Sequence, residues 1–121
     1  MNRDMDVIRA IALAVADSTT LPISGVDGLD EATFAAHAQW MQEAGLVMAS
    51  LIPDDSLETA RSAVIWRLTW AGCDFAAAVR SNTLWAKAKT HVFKPAASWT
   101  FGALLDWLKG QIGEQLGNIA S

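Results

Sequence analysis

The chain has no tyrosine, one cysteine, two histidines, and no lysine or arginine between Arg9 and Arg61. Each shortage excludes something. Cys73 alone permits no internal disulfide, so nothing in the sequence asks for an oxidising compartment. His37 and His91 lie far apart, and neither has a second histidine or cysteine at metal-ligand spacing. No apolar run approaches the ~18–20 residues that a membrane span needs. Ile8 to Ala16 ends in Ala-Val-Ala, a small-residue ending of the signal-peptide kind. Asp4, Asp6 and Arg9 interrupt any apolar segment there, so a cytoplasmic location is expected. Ser24-Gly25-Val26-Asp27-Gly28 lacks the spacing and the lysine of a phosphate loop. No internal repeat or low-complexity tract is visible.

What is present suits a globular chain. Its 121 residues are 52% hydrophobic and 18% charged, enough for one domain with a real core over 1–121. The net charge of −4 is unevenly placed. Asp17, Asp27, Asp30, Glu31, Glu43, Asp54, Asp55 and Glu58 fill the interval without cations. Arg61, Arg67, Arg80, Lys87, Lys89 and Lys94 then face one acid, Asp74. Two solvated surfaces explain this, and so does a dipolar molecule that docks through one half.

The periodicity predicts a first helix over Arg3–Asp17, with Met5, Ile8, Ala12 and Val15 in one stripe and Ile11 beside it. Leu21–Ser24 is short and apolar; Pro22 restricts it to an edge or extended segment. A helix from Glu31 carries Phe34, Ala38, Met41 and Ala44 at helical spacing, with Asp30 as its cap and Gly45 as its stop. Two strands follow, Leu46–Ile52 and Ala63–Leu68, around a polar tip at Pro53-Asp54-Asp55-Ser56. Strict alternation sends Val64, Trp66 and Leu68 to one face, taken as the core side, and Ile65 and Arg67 to the other. Thr69 caps the next helix by accepting from the N–H of Gly72. Ser81-Asn82-Thr83 breaks it and starts a piece from Leu84 to about Val92 that carries Trp85, Ala88 and Val92. A last helix, Ser98–Gly117, has a stripe of Phe101, Leu105, Leu108, Ile112, Leu116 and Ile119, with Gly110, Gly113 and Gly117 sharing another side. The expected fold is mainly α with a small β-hairpin sheet: a winged helix-turn-helix core over 1–80, wing near 46–68, and a C-terminal helical extension over 81–121.

Arg3-Asp4-Met5-Asp6-Val7-Ile8-Arg9, Glu43-Ala44-Gly45-Leu46, Arg67-Leu68-Thr69-Trp70-Ala71-Gly72 and Thr83-Leu84-Trp85 occur in this order. Together they resemble a bacterial and phage-associated family known only as a domain of unknown function. The likeness covers nearly the whole chain and implies a winged-helix fold, with His37 at a position where the family usually has histidine. It implies no activity, so no catalytic residue and no cofactor. The family often has a lysine or arginine near Gln39, where this chain is neutral.

No constellation here carries catalysis. His37 is expected to be a hydrogen-bonded structural residue. Cys73 starts a helix, which favours a thiolate, but Asp74 opposes it, so an ordinary thiol is expected. Two function classes remain. A duplex-DNA-binding regulator would read bases with Gln39 and Gln42 and grip phosphates with Arg61, Arg67, Arg80, Lys87 and Lys89. Asp30, Glu31 and Glu43 beside those glutamines disfavour it. The leading expectation is a non-enzymatic protein-interaction module, self-associating as a homodimer or docking on a host protein. Large aromatics favour interfaces. Trp40, Trp99 and Trp107 fall off the main stripes, and Gly110 and Gly113 could admit a close partner.

Overall fold

The computed structural model describes residues 2–93 and 101–120. The elements are α1 (Met5–Asp17), α2 (Glu31–Glu43), β1 (Val47–Ile52), β2 (Ser62–Leu68), α3 (Trp70–Val79), α4 (Asn82–Ala88), a π-helical turn (Lys89–Phe93) and α5 (Phe101–Ala120). The described chain is mainly helical with one two-stranded antiparallel sheet. It divides into two compact units, Met1–Ala76 and Ala77–Ser121, and the division falls within α3.

In the first unit α2 is the central element, with α1, β1 and β2 packed on it. The expected α1 stripe is buried: Met5, Ile8, Ile11, Ala12 and Val15. Asp4 caps α1, its Oδ1 accepting the N–H of Asp6 at 2.9 Å. Asp30 caps α2 the same way, accepting the N–H of Thr33 at 2.7 Å. Gly45, at φ 79°, ends that run in the left-handed region that favours glycine. Phe34, Ala35, Ala36, His37, Ala38 and Met41 are all essentially inaccessible, so α2 is buried well beyond one stripe. Burying Phe34 or Met41 alone contributes roughly 1.5–3 kcal/mol.

Ile23 makes a single bridge to Ile65, its N–H donating at 3.0 Å and its carbonyl accepting at 2.8 Å. This agrees with an extended segment at Leu21–Ser24. The β1–β2 register pairs Val47 with Leu68, Met48 with Arg67, Ala49 with Ile65, and Ser50 with Val64. The register shifts between Met48 and Ala49, which leaves Trp66 as an extra residue on β2. Such a bulge breaks the alternation. Ala63 and Ile65 are buried, while Trp66 is 52% exposed and Arg67 is exposed. The expected assignment of Trp66 to the core side is therefore corrected. Leu68, paired with buried Val47, keeps its expected inner side, whereas Val64 and Trp66 lie outward and Ile65 inward, the reverse of expectation.

Thr69 joins the two ends of the hairpin. Its N–H donates to the carbonyl of Leu46 at 2.9 Å, and its hydroxyl donates to the carbonyl of Gly45 at 2.5 Å. The same hydroxyl oxygen accepts the N–H of Gly72 at 3.0 Å, which is the expected cap of α3. Gly72 lies against the Leu46 carbonyl so closely that an added Cβ would fall 1.9 Å from that oxygen. Only glycine fits this contact.

In the second unit α4 packs on α5 and on the π-helical turn. Ser81 caps α4, accepting the N–H of Leu84 at 3.2 Å. Leu84, Trp85 and Ala88 are buried, as are Leu104 and Leu108 of α5. The inward line of α5 thus includes Leu104, which the expected stripe omits, while Leu105 is only half-buried.

Candidate interaction surface

The hairpin has an inner and an outer side. Antiparallel partners share a side, so Met48, Ser50 and Ile52 of β1 face outward with Arg67, Val64 and Ser62 of β2. Trp66 joins them, its indole N–H donating to the Ser50 hydroxyl at 2.8 Å. Met48 is 49% exposed and Ile52 48%. Of the described residues on this face, Arg67 carries the one charge; its guanidinium also donates to the carbonyl of Leu68 at 3.1 Å. Trp70, four residues on, is 86% exposed, the most among the large apolar side chains of the described residues. Four residues span at most about 14 Å, so the two exposed tryptophans share one neighbourhood.

The tip beyond this face is an acidic turn. Asp54 Oδ1 accepts the N–H of Ser56 at 3.0 Å and its hydroxyl at 2.7 Å. Those two bonds, and more weakly Arg61, hold the Asp54 carboxyl below its ordinary range. Leu57, between Ser56 and Glu58, is 52% exposed.

The residues suited to reading DNA are otherwise engaged. Gln39 accepts the N–H of Ala60 through Oε1 at 2.7 Å and donates to Glu43 at 3.3 Å. Gln42 Oε1 accepts the N–H of Ala49 at 2.6 Å. Both side chains tie the hairpin backbone to α2. Of the candidate phosphate contacts, Arg61 and Arg67 lie about 20 Å apart along β2 at the usual strand rise. Arg80, Lys87 and Lys89 belong to the second unit, and all five are exposed.

The expected tryptophan set fares unevenly. Trp40 is half-buried, edge-on to His37 with ring centroids 5.0 Å apart. Trp107 is half-buried and stacked on His91 at 6.1 Å. Trp99 lies outside the described residues. Gly110 is exposed, and Gly113 lies in α5. Among the described tryptophans Trp66 and Trp70 are the exposed ones; sequence reading placed Trp66 on the core side and passed over Trp70. Trp66 faces outward in step with buried Ala63 and Ile65, and the bulge, which brings Leu68 inward, misleads an alternation phased on Leu68. Trp70 had a signal, since it sits off the helical face that carries Phe75, Ala78 and Val79.

His37 is structural in its contacts. It is 1% exposed; Nδ1 meets the Thr33 carbonyl at 2.8 Å and Nε2 accepts the N–H of Asp4 at 2.9 Å. That pattern fits the neutral ring with its proton on Nδ1. Cys73 is exposed. Among the described residues, no group of three or more histidine, cysteine or acidic side chains could hold a metal ion. No described helix is long and apolar enough to cross a membrane.

The described chain is thus mainly helical with one two-stranded hairpin, and motif residues form its internal joints. The chain belongs to the family described as Hypothetical protein (DUF2513), which matches residues 2–98. It is also 33% identical over 97 residues to a Haemophilus influenzae protein described as "Uncharacterized protein", covering 76% of this chain and 79% of the relative. No solved structure matches.

Proposed function

We propose that this protein is a non-enzymatic interaction module on a winged-helix-like frame, self-associating and contacting proteins through the outer face of its hairpin. The observation that carries this reading is the exposed apolar set Met48, Ile52 and Trp66 on one sheet face, with Trp70 close by. Isolated surface apolar residues need no explanation, but a contiguous set with a tryptophan points to an interface. The order helix, single bridge, helix and hairpin supports the winged-helix frame. A phage or prophage origin and a host protein as a further partner rest on the resemblance of the motifs alone.

Duplex DNA is the weaker reading. Arg61, Arg67 and Lys87 are exposed and favour it. The Gln39 and Gln42 carbonyls, however, are taken by backbone donors, and α2 has no cation. Phosphate contacts supply most DNA affinity. Sedimentation equilibrium of the full chain, beside anisotropy with labelled random duplex at low salt, tests the choice. A dimer without salt-sensitive DNA binding is expected. A monomer, or micromolar DNA binding that collapses with salt, would overturn the reading.

A further inference from the structure

The two edges of the sheet differ in what covers them. On the β1 edge the Ala49 N–H is taken by Gln42 Oε1 at 2.6 Å, and Pro53 has no N–H to offer. On the β2 edge Ile65 exchanges two backbone hydrogen bonds with Ile23, so its N–H and carbonyl point away from β1. Backbone polar groups alternate sides along a strand, so those of Ala63, two residues back, point the same way. Were the antiparallel pairing to run on from Ile23, Gly25 would stand opposite Ala63. Instead the chain turns off there. Among the described residues nothing bonds the Ala63 N–H or carbonyl on this edge, and a Cβ added at Gly25 would meet nothing within 4 Å. The gap is a cleft of about 520 Å³ between residues 62–64 of β2 and the loop that leads into α2. Asp27, Asp30 and Glu31 line it, and no described residue of its lining is a cation. We infer that this cleft is a docking site for an extended, lysine- or arginine-bearing peptide segment of a partner protein, which adds as a strand along β2 at Ala63. The inference goes beyond the outer-face reading and does not rest on it.

Backbone chemistry and charge together select that occupant. Ala63 is 4% exposed, so water reaches its backbone poorly and the open rung is worth filling. In strand addition the main chain supplies the attachment and the side chains supply the choice. The Asp30 carboxylate is already bonded to the Thr33 N–H, whereas Asp27 and Glu31 are exposed at the rim. Successive side chains of an extended peptide point to opposite faces. A cationic residue therefore reaches the rim acids while its neighbour lies on the apolar lining from Val26, Leu29 and Phe34. The same acids turn away acidic segments, by like-charge repulsion.

The test adds an end-blocked hexapeptide of alternating lysine and valine to the full chain at low salt, read by anisotropy and by amide hydrogen exchange. A twin peptide N-methylated throughout keeps the charges but has no N–H groups. The first peptide is expected to bind, to slow exchange at the Ala63 amide about tenfold and to leave the Ala49 amide unchanged. The twin, and an alternating glutamate–valine peptide, are expected not to bind. The double variant Asp27→Asn with Glu31→Gln spares the Asp30 cap, and circular dichroism confirms its folding. It is expected to weaken binding about fivefold. No binding of the lysine–valine peptide, equal binding of the twin, or binding that leaves Ala63 exchange unchanged overturns the inference. So does undiminished binding by the double variant. An Ala63 amide that exchanges as slowly as that of Val64 in the free protein also overturns it, because the edge is then closed from within.

Discussion

At the residue scale, several motif residues form joints inside the protein. Asp4 of the opening motif supplies the N–H that His37 accepts, and its own carboxylate caps α1. Thr69 and Gly72 of the Arg-Leu-Thr-Trp-x-Gly motif meet the carbonyls of Gly45 and Leu46 from the Ala-Gly-Leu segment. Motifs distant in sequence are thus halves of the same joints. Replacing Gly72 with alanine forces a Cβ against a backbone oxygen that cannot swing away. We expect Gly72→Ala to cost about 3 kcal/mol, at the upper end of overpacking changes, read as a lowered denaturant midpoint. An unchanged midpoint would mean that the α3 start moves freely from Leu46. Trp70 takes no part in such a joint, since its side chain is 86% exposed.

At the element scale, the hairpin is fastened to α2 by side-chain amides as well as by apolar packing. Gln39 and Gln42 stand three residues apart, on neighbouring positions of one helix side. Each takes a hairpin backbone N–H that has no strand partner. Removing either carbonyl leaves that donor poorly satisfied. Gln42→Ala is expected to destabilise the chain by about 1–2 kcal/mol and to speed amide exchange at Ala49 ahead of the α1 amides. Exchange at Ala49 that stays as slow as in the wild type would show that Gln42 does not hold β1. The bulge is the other device at this scale. It changes nothing in composition, yet it turns an expected core tryptophan into the centre of an exposed face.

At the scale of the whole molecule, the acidic N-terminal stretch acts through particular carboxylates. The side-chain and backbone hydrogen bonds of Thr33 hold Asp30 below its ordinary value of 3.8. Asp54 is lowered in the same direction by Ser56, and more weakly by Arg61. A depressed native value means that the unfolded chain binds protons more readily, so stability rises with pH across this range. Their contribution is full above about 3.8, the unfolded carboxylate value, and is lost as pH falls through the lower native values. Thermal melts from pH 5 to pH 2 should therefore fall less steeply for Asp30→Asn than for the wild type. Equal slopes would remove Asp30 from the acid response.

Much of the fold was legible in the chain. Local physics placed the α1 stripe, the Asp30 and Thr69 caps, the break at Ser81-Asn82-Thr83, the Gly45 stop and the hairpin tip, because each depends on residues within a few positions of one another. A structural role for His37 was legible too, but not its partner Asp4, 33 residues away. The outer face, the bulge at Trp66, the burial of α2 on several sides and the engagement of Gln39 and Gln42 came only with the tertiary structure. All of these turn on pairing register or on hydrogen bonds between distant segments. One extra residue in a strand reverses every side assignment beyond it, and no local pattern announces where it falls.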